Sequence, residues 1–233
     1  MISIIIPVYN QAKKLALTLN SIAKQEAGDW EVIIVNDGSK DDPEKVFREF
    51  TDATNLDKRF VFISQNNHGA PAARNRGFKE AQGDYLFFCD ADAELRPEAL
   101  LELQRALESH PEASYAFSSF RWGKKLFKVG PFDPVRLQTG PYIHTMALIR
   151  RADFPASGWD ESIKKFQDWD LWLTFLKAGH SGVWVDKVLF TIAPGGTISL
   201  WLPSFAYKLF PFLSSVKKYK TAMAIIKNKY GLV

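Results

Sequence analysis

One cysteine, Cys89, occurs among 233 residues. That scarcity excludes a disulfide framework and any zinc site built from several thiolates, and it makes a reducing compartment, the cytoplasm, the expectation. No G-x-G-x-x-G turn follows the first apolar run, which removes the dinucleotide oxidoreductases. That run, Ile2 to Val8, is too short for a signal-peptide core and lacks a basic leader, so it reads as a buried strand. Acidic residues and arginine are both missing from Lys187 onward, where seven lysines stand alone. The first 186 residues carry 23 basic and 26 acidic side chains, so the net charge of +4 belongs to the tail. Apolar residues at 46% and charged residues at 24% exclude a disordered or collagenous chain. The length sets one large domain, or one domain with a small appendage.

The N-terminal half alternates β-branched runs with helical patterns. Ile2–Ile6, Glu31–Val35, Phe60–Ser64 and Tyr85–Phe88 read as strands, and Ile4, Ile5 and Ile6 in succession imply a strand covered on both faces. Ala12–Gln25, Pro43–Phe50 and Ala70–Ala81 read as helices, with Leu15, Leu19 and Ile22 along one helical face. This alternation predicts right-handed βαβ units, hence an α/β chain built on a parallel sheet. Pro97 opens a fourth helix to about Ser109. Beyond it, Ser114–Phe120, Tyr142–Ile149 and Gly182–Val185 are strand candidates and Asp168–Ala178 a helix, with a Gly/Pro/Lys-rich excursion from Trp122 to Gly140. No linker composition separates the halves near Ser109–Ser114, so they read as two halves of one domain.

Ligands of open parallel sheets sit beyond the carboxyl ends of the strands. Each early strand here runs into a polar turn: Pro7-Val8-Tyr9-Asn10, Asn36-Asp37-Gly38-Ser39, Gln65-Asn66-Asn67-His68-Gly69 and Asp90-Ala91-Asp92. Asn, Asp and Gly make turns anywhere, but four such turns on one sheet edge point to a site. Asp90 and Asp92, two residues apart at a strand end, suit one divalent cation of the Mg²⁺ or Mn²⁺ kind, with phosphate oxygens and water completing its shell. An arginine on the following helix segment, Ala72-Ala73-Arg74-Asn75-Arg76-Gly77, can pair with phosphate or a carboxylate; Arg76 reads as a solvated position and His68 as a turn residue. In Gln167-Asp168-Trp169-Asp170-Leu171-Trp172, two carboxylates at a helix start are stabilised as anions by the helix dipole, the state a general base needs. An N-cap role would explain one of them, not both together with Phe166, Trp169 and Trp172.

Ile4-Ile5-Ile6-Pro7-Val8-Tyr9-Asn10, Val35-Asn36-Asp37-Gly38-Ser39, Asn67-His68-Gly69, Ala73-Arg74-Asn75, Asp90-Ala91-Asp92 and Asp168-Trp169-Asp170, in this order, resemble the inverting nucleotide-sugar glycosyltransferases of family 2. The resemblance implies a GT-A fold, that is, a Rossmann-like, mixed and mostly parallel central sheet flanked by helices. It implies a catalytic unit over residues 1–199, with a nucleotide-sugar-binding half (1–110) and an acceptor-binding half (111–199). It implies that one sugar moves from a UDP-, GDP- or dTDP-sugar, UDP favoured, to a saccharide or lipid-linked hydroxyl, with Mn²⁺ or Mg²⁺ assisting. Carried over, Pro7 and Tyr9 line the nucleobase pocket with Asn10 beside them, and Asp37 accepts a hydrogen bond from the base. Asn67, Gly69 and Arg74 border the nucleotide, Asp90 and Ala91 lie by the ribose and metal, and Asp92 with Asp90 ligates the metal. Asp168 deprotonates the acceptor.

The chain also departs from that family. Gln167 stands where the family commonly has Glu, and Thr191-Ile192-Ala193-Pro194-Gly195-Gly196 replaces a stretch that often carries Arg and His. The absence of Gln-x-x-Arg-Trp favours a single addition over processive synthesis. Two rival readings carry signatures of their own. A sugar nucleotidyltransferase should carry a Gly-rich, Arg-containing loop where Pro7-Val8-Tyr9-Asn10 stands, and a non-catalytic GT-A scaffold should have lost Asp92 or Asp168. Residues 200–233 read as a basic, aromatic-rich helical tail. Trp201, Phe205, Tyr207, Phe210 and Phe212 beside Lys217, Lys218, Lys220, Lys227 and Lys229 fit peripheral contact with an anionic membrane, at its inner face, or else packing on the catalytic unit. Without aromatic-rich sheet motifs the lysines do not argue for nucleic acid.

Overall fold

The computed structural model describes residues 1–54, 56–195 and 213–232. The strands are β1 (Ile2–Val8), β2 (Trp30–Asp37), β3 (Phe60–Gln65), β4 (Tyr85–Phe88), β5 (Ala93–Leu95), β6 (Ala113–Trp122), β7 (Lys125–Phe127), β8 (Leu148–Arg150) and β9 (Ser181–Ile192). The helices are α1 (Ala12–Ala23), α2 (Pro43–Thr54), α3 (Ala70–Glu80), α4 (Ala99–Ser109), α5 (Pro134–Thr139), α6 (Gln167–Lys177) and α7 (Ser214–Tyr230). One sheet runs β3-β2-β1-β4-β8-β6-β9-β5, with β7 hydrogen-bonded to β6. Strands β1 to β4 pair in parallel, β8 enters antiparallel between β4 and β6, and β6 and β9 are parallel again. Six of the nine strands therefore share one direction, the mixed and mostly parallel sheet expected from the sequence.

The isoleucines of β1 are buried on both faces because helices cover both sides of the sheet. Helix α3 lies especially close: a Cβ on Gly77 would stand 2.5 Å from a methyl carbon of Ile5, so only glycine lets the helix approach this strand. Pro7 sits in a central strand without harm. The β1–β4 pairing ends at Ile5–Phe88, and Pro7 lies beyond it.

Three local expectations differ from the structure. Tyr142–Ile149 is a strand only from Leu148. Upstream, His144 Nδ1 accepts the Met146 N–H (3.1 Å), Thr145 O accepts the Ala147 N–H (2.9 Å) and Ile143 O accepts the Trp172 indole N–H (3.1 Å), bonds that bend the segment out of a ladder. The Trp122–Gly140 excursion holds β7 and α5, whose N-cap Asp133 accepts from the N–H groups of Val135 and Arg136. Trp169 and Trp172, read as part of the signal for a base, belong to the core: both are fully buried, and the Trp169 indole donates to Leu137 O.

The tail aromatics Trp201, Phe205, Tyr207, Phe210 and Phe212 lie outside the described residues. The described part of the tail, α7, docks on the core: Ile226 is fully buried in it, Met223 and Tyr230 pack against it, and the Tyr219 ring meets Phe166 edge-on at 5.0 Å. Among the described residues no helix is long and apolar enough to cross a membrane.

Candidate active site

The four polar turns do converge on one edge of the sheet, and side chains tie them together. After β1, Asn10 takes a left-handed conformation (φ 53°), which short polar residues tolerate best. There its N–H donates to Ser39 Oγ (3.1 Å) and its carbonyl side chain accepts from the Lys40 N–H (2.7 Å), clipping the first turn to the second. Asp37, at the end of β2 and 2% exposed, accepts from Gln65 Nε2 (2.8 Å), the His68 N–H (2.9 Å) and the Gly69 N–H (2.8 Å). The Asn67 amide donates to Asp37 O (2.9 Å), so the third turn is folded around this one residue. A carboxylate has about four acceptor positions, and among the described residues three are taken, so Asp37 organises the third turn and one position has no partner there. Pro7 and Tyr9 are half-buried beside it, while His68 is exposed, as a turn residue is expected to be.

The Asp90-Ala91-Asp92 turn splits its two carboxylates between different partners. Ala91 is buried and its carbonyl accepts from Thr18 Oγ1 of α1 (2.9 Å), so its part is to space and aim its neighbours. Asp90 receives Arg74 Nη2 at 3.3 Å and faces His144 Nε2 at 3.7 Å. Asp92 receives Gln11 Nε2 at 3.3 Å and Lys14 Nζ at 3.4 Å, and the same ammonium donates to Pro194 O at 3.2 Å. Burial, then repulsion from Asp90, raises the Asp92 carboxyl above its usual range, and Lys14 offsets part of that. A second cation facing this pair would be stabilised by both carboxylates.

Arg74, 5% exposed, links the Asp90 turn to the start of α6. Besides Asp90 it donates to Gln167 Oε1 (2.9 Å), and its guanidinium lies 4.6 Å from the Trp159 ring centre. The next residue, Asn75, bonds the Trp159 backbone in both directions (2.8 and 2.9 Å) and donates to Glu161 (2.8 Å). One turn of α3 therefore grips both ends of the segment leading into α6. Arg76 pairs with Glu80 on the surface.

Helix α6 separates its two carboxylates. Phe166 precedes it in the left-handed region (φ 62°), turning the chain so that Asp168 faces the Arg74–Asp90–His144 cluster. Asp168 is half-buried, and its one hydrogen bond among the described residues comes from the Trp169 N–H (2.9 Å). Burial raises its carboxyl above the ordinary value; the charges of His144 and Arg74 and the Trp169 N–H pull it down, and Asp90 pushes it up. Asp170 points the other way. It is 3% exposed and takes Lys229 Nζ (2.7 Å) and Tyr230 OH (3.0 Å) from α7.

The sequence reading had not singled out His144, Gln11, Lys14 or Trp159. Nothing local marks them, since each reaches the site only through a turn or helix whose path depends on the tertiary fold. Among the described residues no group of three or more His, Cys, Asp and Glu side chains is arranged to hold a metal ion. Cys89 is buried, and burial pushes its thiol well up, so it stays protonated.

Residues 3–157 match the glycosyl transferase family 2 profile. An uncharacterized glycosyltransferase of Rickettsia felis is 30% identical over 221 residues, covering 87% of this chain and 35% of the relative. A PGL/p-HBAD biosynthesis glycosyltransferase of Mycobacterium bovis is 32% identical over 180 residues, covering 73% of this chain and 67% of the relative. The chain thus spans about a third of the length of the Rickettsia proteins it matches. Among solved structures, S. aureus TarS in complex with UDP-GlcNAc superposes with a TM-score of 0.71 at 21% identity, over 89% of this chain and 63% of that one. The mannosyltransferase PcManGT of Pyrobaculum calidifontis, in complex with GDP-Man and Mn²⁺, gives 0.70 at 18% identity, over 84% and 57%. The sheet order and the helices on its two faces are those of a GT-A fold, and with the profile covering more than half of its residues the chain belongs to glycosyl transferase family 2.

Proposed function

We propose that this chain moves one sugar from a nucleotide-diphosphate donor to a hydroxyl acceptor with inversion, with Asp168 as the general base. The observation that carries this is the division of labour at the start of α6. Asp170 is ion-paired with Lys229 and accepts a hydrogen bond from Tyr230, whereas Asp168, beside Arg74, Asp90 and His144, has no side-chain hydrogen-bond partner among the described residues. A base in inverting displacement must be ionised, oriented and within reach of the acceptor hydroxyl. The helix N-terminus and the Arg74 guanidinium favour the ionised form, while burial keeps the carboxylate basic.

The nucleotide lies, in this reading, over the first three turns, with Tyr9 and Pro7 against the base and the open acceptor position of Asp37 toward its N–H. Asn10 and Asn67 shape that surface through their side-chain amides, Gly69 and Ala91 through their backbone, and Arg74 and Asp90 border the sugar diphosphate. Asp90 and Asp92 fit Mn²⁺ or Mg²⁺, since hard divalent ions take one or two carboxylates and draw their other ligands from phosphate and water. Burial first, and then the charge of Asp90, raise the Asp92 carboxyl, and a bound divalent ion would offset both. The metal would neutralise charge on the departing diphosphate. UDP-GlcNAc in TarS and GDP-Man in PcManGT make UDP- and GDP-sugars the first donors to try.

Residues 1–110 hold the donor in this proposal and 111–199 the acceptor, a saccharide or lipid-linked hydroxyl. The tail from residue 200 brings the enzyme to the anionic inner face of the membrane. Substituting Asp92→Ala tests the core of the reading: Mn²⁺-dependent tightening of nucleotide binding, followed by calorimetry, should disappear. Persistence of that tightening would remove Asp92 from the metal site.

A further inference from the structure

The first turn of α1 carries two lysines, Lys13 and Lys14, and no acidic residue. Cations at a helix N-terminus oppose the macrodipole, so neither lysine steadies the helix. Lys13 is exposed, whereas the Lys14 side chain is 28% exposed and reaches the Asp90-Ala91-Asp92 turn. Its ammonium stands 3.4 Å from Asp92 Oδ2 and 3.2 Å from Pro194 O.

These contacts add little to the fold, because other bonds already join the same pieces. The Ala193 N–H donates to Asp92 O (2.9 Å), and Thr18 Oγ1 of α1 donates to Ala91 O (2.9 Å). The Lys14 contacts are also long. Lys229, which locks α7 to α6, the helix of the proposed base, meets Asp160 and Asp170 at 2.7 Å each. That lies within the range of about 2.7–2.9 Å for a committed ion-paired hydrogen bond, and Lys14 lies outside it. An ammonium has three donors; Asp92 and Pro194 take two, and the third has no partner among the described residues. Each carboxylate of the turn therefore has its own cation, Arg74 for Asp90 and Lys14 for Asp92.

We infer that Lys14 is a diphosphate-binding residue of the donor site, its ammonium held on Asp92 until a nucleotide arrives and then shared with the phosphate oxygens. A diphosphate on this edge meets Asp90 and Asp92, and both repel it. Lys14 cancels one of those charges and brings its unspent donor to the same place. Part of the attraction is thus built into the chain and does not wait for a metal ion. The same ammonium competes with Mn²⁺ for Asp92, so its removal should favour the bare ion and disfavour the nucleotide. A residue that merely tied α1 to the turn would weaken both or neither. The role rests on the reading of this edge as the donor site.

The test compares the full chain with Lys14→Met, which keeps the length and removes the charge. In titration calorimetry with EDTA, Lys14→Met should bind UDP about tenfold more weakly. UMP, which lacks the second phosphate, should weaken by less than about threefold. GDP and GMP are run alongside, and the diphosphate that binds the unaltered chain is the one read. Without nucleotide, Mn²⁺ binding, followed by the electron paramagnetic resonance of the free ion, should tighten about threefold in Lys14→Met. Lys14→Arg should keep the diphosphate affinity within about threefold. Lys13→Met, the same charge change on the exposed neighbour, should keep it within about twofold. Equal losses of diphosphate and monophosphate, equal losses in Lys13→Met and Lys14→Met, or no gain in Mn²⁺ binding would overturn the role. So would an unaltered chain that binds diphosphate with Mn²⁺ and not at all in EDTA. If the unaltered chain and Lys14→Met bind diphosphate equally, only Lys14 is overturned and the donor reading stands. If neither UDP nor GDP binds the unaltered chain even with Mn²⁺, the donor reading fails and takes the role of Lys14 with it.

Discussion

Asp168 and Asp170 stand two positions apart on one helix and have opposite fates, decided by what packs against each. Asp168→Asn keeps the shape and removes the proposed base, so donor binding should survive while transfer falls by about 10²–10⁴-fold. The pH dependence has a definite sign. Burial holds the Asp168 carboxyl above its ordinary value, and only the ionised form accepts a proton, so activity is complete above that raised pKa and is lost as pH falls through it. The acid limb of kcat/KM should therefore lie above about 3.9, the value for an unperturbed aspartate, and it should vanish in Asp168→Asn. A limb unmoved by the substitution would place the base on another residue. Much at this scale was legible in the sequence: the strand-end positions of Asp37, Asp90 and Asp92, and the pair on α6. The partner of each carboxylate was not. Nothing in Gln167-Asp168-Trp169-Asp170 says that Lys229, fifty-nine positions after Asp170, will neutralise one of the two. His144 was hidden for the same reason, since it reaches Asp90 only because its segment abandons the strand that its apolar pattern suggests.

The elements carry two further expectations. Gly77→Ala in α3 places a methyl group 2.5 Å from Ile5, so the helix must lift off β1 or Ile5 must shift, at a cost of about 1–3 kcal/mol. Chemical denaturation should show that loss, and nucleotide binding should weaken with it because Arg74 rides on the same helix. Lys229→Ala acts at the other end of the site. It leaves Asp170 buried with Tyr230 as its remaining side-chain donor, and we expect a loss of about 1–3 kcal/mol. Hydrogen exchange should quicken in α7 and in the first turn of α6 together; faster exchange in α7 alone would mean that the lock does not reach the base helix. Asp160 adds a pH signature. Hydrogen bonds from Lys229 and Ser162 hold its carboxyl down at about 2, so its contribution to docking α7 is full above the usual carboxylate range and fades as pH falls toward that value. Element type was legible wherever periodicity was strong, as in β1 to β4 and α1 to α4. Strands β5 and β7, three residues each, are defined by their partners β9 and β6 and leave no periodic trace.

At the scale of the molecule, donor binding should register as global stability, because the four turns that form the site cap four strands of one sheet. A nucleotide sugar at a hundred times its dissociation constant adds about 2.7 kcal/mol, and at about 2–4 °C per kcal/mol for a chain of this size the melting temperature should rise by about 5–10 °C. Screening UDP-, GDP- and dTDP-sugars with Mn²⁺ should single out one nucleotide; equal shifts for all three would leave the base unread by Asp37. The sheet also dictates an order of assembly on the ribosome. Strands β1 to β4 pair among themselves within the first 88 residues, so a parallel platform can close early. Strand β5 must wait about a hundred residues for β9, and Asp92, whose carbonyl accepts the Ala193 N–H, waits with it. A nascent chain halted before Ser181 would display Asp90 and Asp92 on an unfinished edge. On the proposed reading, competence to hold the donor thus arrives late in synthesis, when nearly all of residues 111–199 has already emerged.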